Sequence, residues 1–507
     1  MKNLLIIIIF IVFSNSLKSQ VPFEYECLPY KSEILGQDVS YSIILPSDYY
    51  ISKKEYPVVY FFHGIGGDCS TWLEYGHLAS VMNKMVNSGK IDPFIMVIPS
   101  GFLSYYCNTY DGKFNYESFL MKELYPYIEK NYRTKKSNKY HAIVGFSMGG
   151  FGSLTIALRY PEQYGSVVAL SPSIRTDSQY MEEGPQDGWD DQWGRIFGGK
   201  GALGAKRLTT YYKKNSPSHI IADCKNISEL DDKIYLDVGD KENSLCRSNE
   251  ELHRLLSEKG IKHYWTVRGG NHDFDVWCAA LPNAFRYLNS RFSNTPFFVE
   301  HDNQNYDSNI KFDKISDNFS DDYYPLGVIG SKRKYPIIYI SGANDITKET
   351  ALNTLSAMIN EGKMPYVILS FIKKPIFSCL DIKSHEAINY SIRGQQRMRA
   401  MIALTETSSS SLSLLQEDNL FTAHVLANPQ KNGINALDIE KWMLAYQRYP
   451  RLWIDMDSDS QIYNGFSDLH IFFRENKVEH EFRSRISWDL NNYWQEWFEF
   501  IIKRIYV

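Results

Sequence analysis

The stretch His141-Ala142-Ile143-Val144-Gly145-Phe146-Ser147-Met148-Gly149-Gly150, running on into Phe151-Gly152-Ser153-Leu154-Thr155-Ile156-Ala157-Leu158, decides the fold. Its first four residues form a short apolar run of buried-strand type, and its last eight read as a helix. Between them lies a G-x-S-x-G pattern with a third glycine behind it. Without Cβ atoms the glycines let strand and helix meet at a sharp turn, which strains the serine backbone and leaves Oγ exposed above a sheet. The bare pattern also occurs in ordinary turns. Strand before and helix after make this one a nucleophile elbow.

A serine hydroxyl is a weak nucleophile at neutral pH and needs a histidine base and a carboxylate to orient that base. The base is read as His272, in the loop Arg268-Gly269-Gly270-Asn271-His272-Asp273-Phe274 after the strand-like Tyr264-Trp265-Thr266-Val267. His77, His141, His219, His253 and His263 lack such a loop and read as surface or core residues. For the acid, the strand Lys233 to Val238 runs into Gly239-Asp240-Lys241-Glu242-Asn243. Asp237 alternates within that strand and reads as structural. Glu242, three residues after the strand-ending glycine, is favoured, with Asp240 as the alternative. Two backbone N–H groups must meet the developing alkoxide. Met148 supplies one, and Ile65 of His63-Gly64-Ile65-Gly66-Gly67, after the strand run Tyr56 to Phe62, supplies the other. That glycine-bearing loop lacks the Gly-Lys-Ser/Thr ending of a phosphate loop and the spacing of a dinucleotide fingerprint. No cofactor and no metal are expected.

Four ordered segments, Tyr56 to Gly67, Glu123 to Thr134, Gly145 to Gly150 and Gly269 to Trp277, resemble the esterase-D-like "putative esterase" group of α/β-hydrolases. Their loop details are most similar to the feruloyl and acetylxylan esterases. The resemblance covers about residues 24 to 293. It implies an α/β fold with a mostly parallel central sheet flanked by helices, and a serine carboxylesterase whose substrate is a feruloyl or acetyl ester on plant cell-wall polysaccharide. The usual acid of the group is aspartate, where this chain offers Glu242. A general short-chain or siderophore-lactone esterase, or an acyltransferase, is the alternative within enzymes. A carbohydrate-binding pseudoenzyme is the alternative outside them.

Composition narrows the partners. A net charge of -4 with no basic stripe excludes nucleic acid as the expected ligand. Met1 to Phe13 pairs a basic start with an apolar run too short to span a bilayer, followed by Ser14 to Gln20. This reads as a signal peptide over residues 1-19 with no lipobox, hence a periplasmic or secreted protein with no membrane span. The aromatic content of 15% includes ten tryptophans. Trp72, Tyr105, Tyr106, Trp189, Trp193 and Trp277 fall where such a fold builds its cleft and are candidates for stacking on an acylated oligosaccharide or small ester. Seven cysteines without CxxC pairs make a poor zinc framework. A Cys246–Cys278 bridge would tie the acid and base loops together.

The chain also repeats itself. Lys334 to Gly342 echoes Glu55 to Gly64, and Glu361 to Ile368 echoes Ser88 to Met96. Leu469-His470 against Leu252-His253, His480 against His263, Arg485 against Arg268 and Trp494 against Trp277 all stand 217 positions apart. In that register His272 becomes Asp489, the acid loop becomes Asp457 to Ser460, and the elbow becomes Ala403 to Ser409 without its glycines. The expected plan is a catalytic domain over 20-293, a linker over 294-334 and a degenerate, catalytically dead copy of the fold over 335-507, docked on the first or binding a ligand. The Asp-rich linker fits no EF-hand spacing and reads as solvated loop.

Overall fold

The computed structural model describes residues 22–299, 310–329, 334–374, 377–388, 398–404, 421–428, 452–460 and 463–505. The signal-peptide stretch, the elbow-equivalent residues from Thr405 onward and Pro429 lie outside them. The chain divides into two compact units, the first made of residues up to Val238, Arg247–Tyr264 and His272–Phe298. The second comprises Gly239–Cys246, Trp265–Asn271 and Val299–Val507.

The strands of the first unit are β1 (Phe23–Ser32), β2 (Gln37–Leu45), β3 (Val58–Phe62), β4 (Ile95–Pro99), β5 (His141–Phe146), β6 (Ser166–Leu170) and β7 (Ile234–Gly239), in sheet order β1-β2-β4-β3-β5-β6-β7. From β4 to β7 they run parallel, while β1 and β2 form an antiparallel margin. All residues of β3 to β7 are buried. Parallel strands joined by helical crossovers are covered on both faces, so their sequences are continuous apolar runs and do not alternate. The helix Met148–Arg159 buries ten residues, Met148 to Ala157, against this sheet. A helical insert, Asp177 to Asp223, follows β6.

The second unit takes in β8 (Tyr264–Arg268) from Trp265 onward, and contains β9 (Phe312–Ser316), β10 (Ser320–Pro325), β11 (Ile337–Ser341), β12 (Ile368–Ile372), β13 (Arg399–Leu404), β14 (Ala423–Ala427), β15 (Leu452–Asp457) and β16 (His480–Arg485). Their order, β9-β10-β12-β11-β13-β14-β15, repeats that of β1 to β7 strand for strand, again with two antiparallel strands at the margin. β16 follows β15 in parallel and meets β8 through Ser484 and Val267. The core gathers Leu355 and Met358 of the helix Asp345–Asn360 with Trp497 and Ile501 of the helix Trp494–Ile505.

Two expectations change. The stretch read as a linker contains the hairpin β9–β10, and two of its aspartates, Asp321 and Asp322, are buried. Asp321 is buried among Lys314, Lys348 and Lys373, and Asp322 accepts from Ser320, Ser370 and His385. Lys348, Lys373, Ser370 and His385 come from distant segments, so the stretch looks like loop in one dimension. The cysteines pair as Cys27–Cys69, and Cys246 and Cys278 are free thiols.

Candidate active site

β5 delivers the chain into Ser147 at φ 54° and ψ -118°, outside the regions an L-residue ordinarily occupies. Surrounding bonds hold the turn: Ser147 N donates to Leu170 O at 3.0 Å, and Ser147 O accepts from Ser173 N at 2.9 Å. A Cβ on Gly145 would overlap the Gly149 backbone, and one on Gly149 would overlap the Phe62 carbonyl. The elbow therefore exists only because both positions are glycine.

His272 Nε2 lies 2.9 Å from Ser147 Oγ. The ring precedes the helix Phe274–Ser293, whose first turn is capped by the Asp273 carboxylate, and Trp277 stands edge-on to it at 5.1 Å. With the ring proton on Nδ1, Nε2 is the acceptor of the serine proton. That is the arrangement a general base requires.

Met148 opens the helix, where backbone N–H groups have no intrahelical acceptor and carry the positive end of the helix dipole. A Cβ on Gly64 would lie 2.5 Å from the Phe146 ring and 3.3 Å from Ser147 Cβ, so the chain enters Ile65 directly beside the nucleophile. This loop is fixed from below. Tyr106 Oη accepts from His63 N at 2.7 Å, and His63 Nε2 accepts from Gly101 N at 2.7 Å. Burial pulls the His63 pKa down, only partly offset by the Gly64 carbonyl and Asp68, which keeps the ring neutral and able to accept.

Of the acid candidates, Asp237 is buried in β7 and accepts from Tyr235 Oη at 3.2 Å. Asp240 is fully buried and spent on both oxygens: Oδ1 accepts from Gly270 N at 3.0 Å, and Oδ2 from Phe482 N at 3.1 Å and Arg483 Nη1 at 2.8 Å. Glu242 is buried, and its Oε1 accepts from Gly239 N at 2.6 Å.

The aromatic candidates need correction. Trp72, Tyr105, Tyr106, Trp189, Trp193 and Trp277 are each 5% exposed or less. Their faces are occupied by other rings: Trp277 stacks on Phe146 at 4.2 Å, Tyr106 on Phe62 at 3.9 Å, and Tyr105 packs on Trp193 at 4.5 Å. They support the elbow from within. The aromatic side chains left open nearby are Tyr75, 55% exposed and leaning on Phe274, and Phe102, 39% exposed directly after Gly101. Nothing in the sequence separates Tyr75 from its buried neighbour Trp72. Cys27, Asp68 and Cys69 cluster like metal ligands, but the two thiols are bridged.

Strand order, elbow and the serine–histidine pair define an α/β-hydrolase. The family model described as "Putative esterase" matches residues 32–288, and the chain belongs to that family. An esterase of Mycobacterium tuberculosis is 34% identical over 154 residues, 29% of this chain and 32% of that protein. An endo-1,4-beta-xylanase/feruloyl esterase of Xylanibacter ruminicola is 37% identical over 141 residues, 26% of this chain and 19% of that protein. This chain thus spans a third or less of the length of these relatives. A solved ferulic acid esterase is 25% identical, with 54% of this chain and 99% of that one aligned at a TM-score of 0.46.

Proposed function

We propose that the protein is an exported serine carboxylesterase that removes feruloyl or acetyl groups from plant cell-wall polysaccharide. Ser147 Oγ attacks the ester carbonyl while His272 Nε2 takes its proton. The tetrahedral oxyanion accepts hydrogen bonds from the Ile65 and Met148 N–H groups. Collapse expels the sugar hydroxyl with the proton returned by His272 and leaves an acyl-serine. Water, deprotonated by the same imidazole, then releases the acid. Glu242 orients the imidazole, because the rival Asp240 has both oxygens committed elsewhere. The observation that carries the reading is the 2.9 Å approach of His272 Nε2 to the hydroxyl of a strained serine. The polysaccharide substrate is supported by relatives whose names include feruloyl esterase and, for a Caldicellulosiruptor saccharolyticus protein 22% identical over 51% of this chain, acetyl esterase.

The second unit is read as a degenerate relative without chemistry. In place of the base it has Asp489, whose carboxylate caps the turn Leu490–Asn492. Incubation with feruloylated and acetylated arabinoxylan, followed by chromatography of released ferulate and acetate, tests the assignment. Release of neither acid from either polymer, with p-nitrophenyl acetate still cleaved, would move the substrate to small esters.

A further inference from the structure

The second unit has a groove of its own at the margin of its sheet. The hairpin β9–β10 pairs Phe312 with Pro325, Lys314 with Tyr323 and Ser316 with Asp321, which puts these six side chains on one face of the hairpin. Residues 345, 348, 349, 352 and 353 share one side of the helix Asp345–Asn360, at the i, i+3, i+4, i+7 and i+8 spacing of a helical stripe. Between the hairpin and this stripe lies a cavity of about 380 Å³. That is the size of pockets that hold small ligands, about 300 to 1,000 Å³.

Its floor is apolar and already in place. Phe312, Tyr323 and Leu352 are partly buried against the core of the unit. The Tyr323 ring is steadied edge-on by Phe371 at 5.5 Å and by the Lys314 ammonium, 5.5 Å from its centre. The wall is polar. Lys348 lines it and is fixed by Asp321 at 3.3 Å, the buried carboxylate that Lys314 and Lys373 also reach. Along the helix, Asp345 and Glu349 are exposed and Asn353 is half-buried. Among the described residues, neither the Glu349 carboxylate nor the Asn353 amide is engaged by another side chain.

This combination selects its ligand. An anion would face the carboxylates of Asp345 and Glu349, and a cation would face Lys348 and the Lys314 ammonium beside Tyr323. A purely apolar ligand would cover charged and amide groups without giving them partners, which costs free energy. A neutral polyhydroxylated ring satisfies all of them. Its hydroxyls donate to Glu349 and Asp345, its oxygens accept from Lys348 and Asn353, and its C–H face lies on the cavity side of Tyr323 and Phe312. We propose that this groove binds a neutral sugar residue of a polysaccharide, so that the second unit is a carbohydrate-binding module. The site is built from the second unit alone and is independent of the ester chemistry at Ser147.

Affinity electrophoresis of the full chain tests it, in gels containing saponified arabinoxylan, which carries no ester, neutral mixed-linkage β-glucan or polygalacturonate. Retardation by at least one neutral polymer is expected, with none by polygalacturonate. Tyr323→Ala should weaken that binding at least about tenfold, through the lost ring surface. Asn353→Ala should weaken it about three- to tenfold, through one lost hydrogen-bonding group. Both variants should hydrolyse p-nitrophenyl acetate at the wild-type rate. If Tyr323→Ala does not fold, Asn353→Ala, a helix-favouring change at a half-buried position, carries the test. Absence of retardation by both neutral polymers overturns the proposal, and so does wild-type retardation of the groove variants. Equal retardation by polygalacturonate overturns the neutral-sugar assignment. Loss of binding in Tyr75→Ala, with the groove variants unaffected, would place the polymer on the first unit and also overturn it.

Discussion

Two histidine pairs show what the two units share and where they part. In the first unit His253 Nδ1 and His263 Nε2 are 2.8 Å apart, with His263 Nδ1 on the Ile261 carbonyl. In the second, His470 Nδ1 and His480 Nε2 are 2.8 Å apart, with His480 Nδ1 on the Val478 carbonyl. A supporting element of the fold recurs bond for bond. The sites do not. The first unit has Ser147 and His272, with a polar hydrogen-bonded pair left accessible. The second has Asp455, fully buried, accepting from Arg485 Nε and Nη2 at 2.8 Å and from the indoles of Trp453, Trp488 and Trp497. One unit keeps a serine hydroxyl within hydrogen-bond reach of an exposed imidazole, and the other saturates a carboxylate with five donors. The two units thus share a strand order and a histidine pair and differ in their polar centres.

The hardest way to break this contrast is to remove the nucleophile. Ser147→Ala should lower kcat by about 10⁴-fold or more, with Tm little changed, because residual rate comes only from the oxyanion donors and binding. Initial rates on p-nitrophenyl acetate together with a thermal melt check it. A few per cent of residual activity would assign the chemistry elsewhere, including to the second unit.

Next in size is the acid. Glu242→Gln should cost about 10²- to 10⁴-fold in kcat, since the amide favours the wrong imidazole tautomer. Asp240→Asn should cost less in rate and more in stability, because it leaves Arg483 buried beside a neutral amide. Parallel kcat and Tm measurements on the pair decide, and the reverse ranking in rate would make Asp240 the acid.

How much of this was legible in sequence follows from the range of each interaction. Ser147 and its glycines form a local strand–turn–helix unit, and so does the His272 loop, so both could be read from a dozen residues. The matching histidine pairs were legible because His470 and His480 stand at the same offset from His253 and His263. Burial of Trp72 and Tyr105 was not legible, because residue type says that a ring wants a partner and not whether the partner is substrate or Phe61 and Phe151. The Cys27–Cys69 bridge, the lysines around Asp321 and the Arg483–Asp240 pair join distant segments and leave no local pattern. Of the acidic candidates at the end of β7, sequence position set Asp237 aside and favoured Glu242 over Asp240, and the donors around Asp240 were not legible because Phe482 and Arg483 lie far along the chain.

The polar centre of the second unit gives a prediction about stability and not rate. Asp455→Asn removes the buried one of the two carboxylates that pair with Arg485, the other being Glu496, and breaking a buried pair costs up to about 3 to 5 kcal/mol. Urea unfolding should show that loss, while kcat at a temperature where the variant is folded stays near the wild-type value. A kcat loss without a stability loss would mean that Asp455 takes part in the chemistry.

The smallest expected effect tests what the units share. Burial holds His253 and His470 well below the ordinary histidine range, reinforced by the neighbouring His263 and His480 respectively, and burial brings His480 to about 3. His63 is lowered in the same way. A group with a depressed folded-state pKa favours the folded state above its unfolded value, about 6.5 for histidine, and that stability is lost as pH falls from there toward the folded value. His385 opposes the trend: burial pulls it down but Asp322 more than offsets this, so its contribution is fully present below about pH 6.5 and is lost as pH rises above it. The lowered histidines outnumber it, and Tm should fall by a few degrees between pH 7.5 and 5.5, above the window in which carboxylates such as Asp322 begin to protonate. His253→Gln and His470→Gln should each flatten that slope by a similar amount, because the two pairs have the same geometry. Calorimetry at both pH values reads it directly. A slope that flattens for one variant and not the other would show that the matching bonds do not carry matching energies, and that the resemblance of the two units stops at topology.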